Sequence, residues 1–150
     1  MTDAVTGAEP RIDFYILDLT GTDNRLNFAC RLTEKAYKLG SRVYAHTLSK
    51  PLADRFDDML WSFRQGSFVP HEVLGAGVPR APVCIGTDAA LLEAGEVLVN
   101  LAEEAPPFAQ QFRRIAEIVT AEPDATAAGR RRFRHYRELG LSPETHRIGA

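Results

Sequence analysis

Short apolar runs, separated by stretches of helical periodicity, constrain this chain more than any other feature. Asp13–Leu19, Arg42–Thr47, Val83–Gly86, Val97–Leu101 and Ile115–Val119 are brief and rich in β-branched and aromatic residues. Strands that are nearly all apolar are buried on both faces, as in a parallel sheet covered by helices. Between them, Leu26, Ala29, Cys30, Thr33, Ala36 and Tyr37 share one helical face, and Gly40 supplies a C-terminal cap. Ser49 caps a second helix, which tolerates Pro51 in its first turn and carries Leu52, Phe56, Met59, Leu60 and Phe63 on one stripe. A last helix is predicted from Asp124 as N-cap to Leu139, with Gly140 as its stop. Strands alternating with helices predict an α/β fold with a mostly parallel central sheet.

The remaining segments read as connections. Gly21 and Asp23 mark a loop, and His71–Pro82, with its glycines and prolines, reads as another. Thr87–Glu96 is expected to be a loop with at most a short turn. Pro106 and Pro107 should start a short helix carrying Phe108 and Phe112. Residues 1–11 have the Gly, Ala and Pro content of a flexible tail, leaving 12–150 as a single domain. A chain of 150 residues can bury an adequate core without metals or disulfides.

Charge is unevenly spread. The net charge is only -2, yet the lysines (Lys35, Lys38, Lys50) lie in the first third and Arg130, Arg131, Arg132, Arg134 and Arg137 crowd the last helix. A local basic patch on a mildly acidic chain implies a specific anionic partner rather than bulk nucleic-acid binding. Cys30 and Cys84 form neither a zinc spacing nor a disulfide framework and suit a reducing, cytoplasmic setting. No apolar run approaches membrane-spanning length, and Met1–Arg11 has no apolar core of a signal peptide.

A covered parallel sheet invites nucleotide chemistry, but the residues do not supply it. The loop after the first strand lacks both the phosphate-cradling Gly-Lys-Ser/Thr pattern and Gly-x-Gly-x-x-Gly. Asp18-Leu19-Thr20-Gly21-Thr22 looks like the aspartate-nucleophile motif of haloacid-dehalogenase-like phosphotransferases. That chemistry also needs a cation and an acidic pair for magnesium, and no lysine follows Lys50. Histidines 46, 71, 135 and 146 have no metal-site spacing. No cofactor, metal or catalytic constellation is expected.

Two surfaces carry the stronger functional signals. On the last helix, Thr126, Arg130, Phe133, Arg134 and Arg137 fall on one exposed face, whereas Ala125, Ala128, Tyr136 and Leu139 fall on the packing side. Arg132 lies among the packing positions, where it must snorkel or pair with a carboxylate. Arginine's planar fork binds carboxylates bidentately, and Phe133 adds apolar surface, so this face suits an acidic peptide ending in a hydrophobic residue. Single-stranded nucleic acid would also suit it. The second surface is Leu60–His71, where Trp61 lies beside the core stripe and Phe68 beyond Gly66. They read either as a partner-binding hot spot or as caps on the core edge.

Taken together, Asp13–Leu17, Leu60-Trp61, Ser67-Phe68-Val69-Pro70-His71, Val97–Leu101, Phe112 with Glu117-Ile118-Val119, and Arg132–Arg137 ending at Gly140 resemble the chi subunit of bacterial DNA polymerase III. The resemblance implies a three-layer α/β/α fold, Rossmann-like without a phosphate-binding loop. It implies a non-catalytic accessory subunit linking the clamp loader to single-stranded DNA-binding protein, with DNA met mainly indirectly. That partner's acidic C-terminal tail, ending in phenylalanine, would be held by Val119, Arg130, Phe133 and Arg134, with Thr126 and Arg137 beside them. Arg130 is expected to take the terminal carboxylate, and Val119 and Phe133 to line the phenylalanine pocket. Thr126 stands where the family pattern often has lysine, and Phe133 where it has tyrosine. Trp61 and Phe68 match positions that bind the psi subunit.

Overall fold

The computed structural model describes residues 9–74, 81–87 and 96–149. Among them a seven-stranded sheet, every pairing parallel, has the order β3-β4-β2-β5-β6-β1-β7. The strands are β1 (Arg11–Leu17), β2 (Val43–His46), β3 (His71–Val73), β4 (Val83–Gly86), β5 (Val97–Asn100), β6 (Arg114–Val119) and β7 (Glu144–Ile148). Helices α1 (Thr22–Lys38) and α2 (Lys50–Ser62) cover one face, and α3 (Pro123–Glu138) with a 3-10 turn at Ala109–Gln111 covers the other. This is the expected three-layer α/β/α arrangement. Each layer buries its own cluster. Leu26, Phe56, Leu60, Ile85 and Ile118 pack under α1 and α2, and Phe14, Leu98, Phe108, Ile115 and Tyr136 pack under α3.

Local sequence explains the helix ends. Ser49 Oγ accepts from the Leu52 N–H at 3.2 Å, with Pro51 in the first turn. At the end of α3, Gly140 takes φ 85°, letting its N–H reach the Arg137 carbonyl at 2.9 Å and the Leu141 N–H the Tyr136 carbonyl at 3.1 Å. Gly40 closes α1 in the same way.

Several expectations are corrected. His71–Val73, expected within a loop, is the edge strand β3, paired with Val83–Ile85. It is three residues long, too short to show periodicity. Residues 75–80 and 88–95, both read as loop, lie outside the described residues, as do residues 1–8 of the expected tail. β1 begins at Arg11, the last residue assigned above to the tail. The helix expected after Pro106 is only a 3-10 turn, flanked by Phe108 and Phe112. Helix α3 starts at Pro123, so Glu122 rather than Asp124 is the N-cap. Pro123 explains the shift, because its fixed φ and missing N–H suit the first helical position. Leu139, expected to pack, is 45% exposed because it already lies past the last turn. Strand β7 was not foreseen.

Candidate functional site

At the carboxyl ends of β1, β6 and β7, the sheet and α3 enclose a cleft of about 620 Å³. Val119, Thr126, Gly129, Arg130 and Phe133 line it on one side and Thr145 and Arg147 of β7 on the other. The pairing rows explain the geometry. Val119 and Arg147 both pair with Ile16, and Thr145 pairs with Phe14, so these side chains share one sheet face. α3 lies close on that face. A Cβ added to Gly129 would stand 2.7 Å from Val119 Cγ2, an approach only glycine permits. Phe133, expected to be exposed, is half-buried, its ring edge-on to Phe14 at 5.1 Å.

The cleft therefore brings together Val119, Thr126, Arg130 and Phe133. Arg134 and Arg137 stand outside it, sharing with Arg130, Phe133 and Glu138 an adjoining open groove along α3. Arg130, Arg134 and Arg137 are exposed.

A buried polar cluster fixes α3 in position. Glu117, on β6 and fully buried, accepts from Arg132 Nε at 2.6 Å, Tyr136 Oη at 2.7 Å and Asn100 Nδ2 at 2.9 Å. Arg132 also donates to the Glu103 carbonyl at 3.1 Å. Arg132 thus pairs with a carboxylate, one of the alternatives its place on the packing side allowed. Burial and the Glu117 charge push the Tyr136 hydroxyl upward, so it stays a donor. On α1, Arg25 donates to the carbonyls of Ile118 at 2.9 Å and Leu101 at 3.1 Å. Burial, with the Arg132 charge nearby, lowers its guanidinium to about 10. The spacing pattern had marked neither Glu117 nor Arg25, because their partners are brought together only by the sheet.

A second cleft, of about 640 Å³, opens beside the start of α2 and includes His46, Ser49, Leu52 and Leu101. Its one arginine, Arg25, is committed to backbone carbonyls, and Glu103 and Glu104 also line it. For an anionic ligand the first cleft is the better host. Among the described residues Asp18 is the one carboxylate side chain lining that first cleft, and none of them pairs with it there to hold the magnesium a phosphotransferase needs. Elsewhere, Asp13, Glu144 and His146 lie close enough to share an ion. Asp13 is already engaged, accepting from His146 Nε2 at 2.8 Å and from Arg11 Nε at 3.4 Å. Although burial alone would push this carboxyl up, those bonds hold it below the usual range. That grouping reads as an ion-pair network.

On the other side of the molecule, Trp61 and Phe68 are 54% and 65% exposed, with ring centroids 6.0 Å apart. They do not cap the core. The buried imidazole of His71 backs Trp61 at 4.3 Å and contacts the Val69 and Asp57 carbonyls at 2.6 and 3.1 Å. Buried Glu34 accepts from Ser67 Oγ and pairs with Arg64 at 3.4 Å, pinning the turn that presents Phe68. The Ser67 bond, aided by Arg64 and Lys38, holds the Glu34 carboxyl below its usual range.

Fold and site together define a class: a parallel α/β domain whose strand-end cleft offers arginine and apolar surface, with no catalytic constellation among the described residues. Comparison with known sequences narrows this. The family described as DNA polymerase III chi subunit, HolC, matches residues 10–144. The chain is 40% identical over 138 residues to the DNA polymerase III subunit chi of Pseudomonas aeruginosa, covering 92% of this chain and 96% of that one. It is 30% identical over 139 residues to the Escherichia coli subunit, covering 88% and 94%, and 28% identical over 138 residues to that of Haemophilus influenzae, covering 91% and 96%. The chain belongs to the DNA polymerase III chi subunit family. No helix among the described residues is long and apolar enough to cross a membrane.

Proposed function

We propose that this chain is a non-catalytic replication accessory subunit that holds the acidic, phenylalanine-ended C-terminal tail of single-stranded DNA-binding protein in the cleft beside α3. In this reading Arg130 takes the terminal carboxylate, and Val119 with Phe133 forms the wall for the terminal phenyl ring. Arg134 and Arg137 add positive field along the adjoining groove, and Thr126 borders the cleft. The arginine-flanked apolar hollow at Val119, Arg130 and Phe133 carries the reading. Phe133 packs against Phe14, which favours a pocket wall over a base-stacking platform and so favours a peptide over direct single-stranded DNA. Trp61 and Phe68 form the second surface, for a psi-type partner that tethers the subunit to the clamp loader. Exposed, adjacent aromatics on a buried support suit such an anchor.

Titration of a short acidic peptide ending in Pro-Phe tests the proposal, alongside the same peptide amidated at its C-terminus. Arg130→Ala should weaken binding of the free-acid peptide by about 2–5 kcal/mol, since the carboxylate loses its charged mate. Equal affinity for both peptides, or an unchanged Arg130→Ala variant, would remove the assigned pocket.

A further inference from the structure

Arg147 reaches the same cleft from a strand that no sequence pattern announced. The row Val119–Ile16–Arg147 runs across β6, β1 and β7, so Arg147 projects on the face covered by α3. It lines the cleft opposite Arg130. Neither guanidinium forms a salt bridge among the described residues, in contrast with Arg132, Arg55 and Arg11. Asp18, the one carboxylate side chain of the lining among the described residues, is exposed. Thr126 is uncharged and its hydroxyl lies 3.5 Å from the Thr120 carbonyl, so α3 brings no cation to the cleft besides Arg130. β7 is the outermost strand on this side, which leaves the path past Arg147 open to solvent. The family match ends at residue 144, so Arg147 lies beyond it.

A single terminal carboxylate needs only one bidentate arginine. Two arginines on opposite walls, neither in a salt bridge among the described residues, fit a ligand with two separate negative groups. We propose that Arg147 is a specificity-determining residue of this cleft, pairing with an acidic side chain upstream of the ligand's last residue while Arg130 holds its carboxylate. This rests on the tail-binding reading above. It assigns acidic preference to β7 and end recognition to α3.

The test uses the full chain and two peptides, both ending in Pro-Phe with a free carboxylate. In one the upstream residues are aspartates, and in the other asparagines. Arg147→Ala should weaken the aspartate peptide by about 3- to 5-fold at low salt, the range of a partly exposed ion pair, and leave the asparagine peptide unchanged. Arg147→Glu should weaken the aspartate peptide further than Arg147→Ala does, and Thr126→Lys in the Arg147→Ala background should restore most of the loss. Arg130→Ala should weaken both peptides. If Arg130→Ala weakens both but Arg147→Ala leaves both unchanged, or lowers both alike, the assignment to Arg147 is overturned and the tail-binding reading survives. If Arg130→Ala itself changes neither, the tail-binding reading falls first.

Discussion

Gly129→Ala isolates the contact that shapes the cleft. In a solvated helix interior, replacing glycine with alanine stabilises by about 1 kcal/mol, because glycine has more backbone freedom to lose. Here the new Cβ would stand 2.7 Å from Val119 Cγ2 and 3.0 Å from Cγ1. Ordinary carbon contacts lie near 3.5–4.0 Å, so α3 must lift by about 1 Å or Val119 must leave its rotamer. Neither adjustment is easy. Val119 is β-branched and 4% exposed, and α3 is tied to β6 through the Arg132–Glu117 and Tyr136–Glu117 bonds at 2.6 and 2.7 Å. Overpacking of this kind costs about 1–3 kcal/mol, which outweighs the propensity gain. Gly129→Ala should therefore lower unfolding stability by about 1–2 kcal/mol in urea titrations at neutral pH. Adding Val119→Ala removes the clashing methyls, so the double-mutant cycle should show favourable coupling of about 2 kcal/mol. A Gly129→Ala variant more stable than the parent, or a cycle additive within about 0.3 kcal/mol, would refute the close-approach argument.

Other outcomes follow from neighbouring contacts. Arg132→Ala should cost about 3–5 kcal/mol of stability, because it strands the Glu117 carboxylate in the core; a loss under about 1 kcal/mol in the same urea assay would contradict the buried pair. Trp61→Ala and Phe68→Ala should each change stability by no more than about 0.5 kcal/mol, since both rings are exposed, yet weaken psi-type partner binding by about 2 kcal/mol or more by calorimetry. A large loss of stability would instead make them core caps. His46 is buried, and burial holds its imidazole below the ordinary range. Its contribution to stability is full above about pH 6.5, where the unfolded chain is also neutral, and is lost as pH falls toward the folded value. Unfolding at about pH 7.5 and 5.5 should show a larger drop for the parent than for His46→Leu; equal drops would remove His46 as the cause.

The legible parts were those written in local periodicity. The apolar runs of β1, β2, β4, β5 and β6 and the stripe Leu52–Phe56–Leu60 sit where expected because burial on two faces, or on one helical side, dictates composition directly. β7 escaped for the opposite reason. Glu144-Thr145-His146-Arg147-Ile148 is an edge strand, half solvated and paired only with β1, so burial imposes no apolar pattern on it. The side of the cleft formed by Thr145, Arg147 and Ile148 went unread with it. The face Thr126–Arg130–Phe133 was readable from the 100° spacing of α3, but not that Phe133 would turn in against Phe14 or that Gly129 would let the helix settle onto Val119.

The position of the cleft follows from where polar groups are already engaged. In open parallel sheets, ligands gather beyond the carboxyl ends of the strands. Towards the middle of this sheet, Arg25 binds the carbonyls of Ile118 in β6 and Leu101 just after β5, and Glu117 draws Asn100, Arg132 and Tyr136 into one satisfied network. Those arginines hold strands and helix together and are occupied. Arg130, on the exposed side of α3, and Arg147, on the edge strand β7, form no salt bridge among the described residues. Charge free to meet a ligand therefore lies at the β1–β6–β7 margin, beside the apolar surface of Val119 and Phe133. An acidic chain end with a terminal aromatic ring matches that pairing of free charge and apolar wall. A nucleotide would need a phosphate-cradling glycine loop after β1, where Asp18 and Thr20 stand instead.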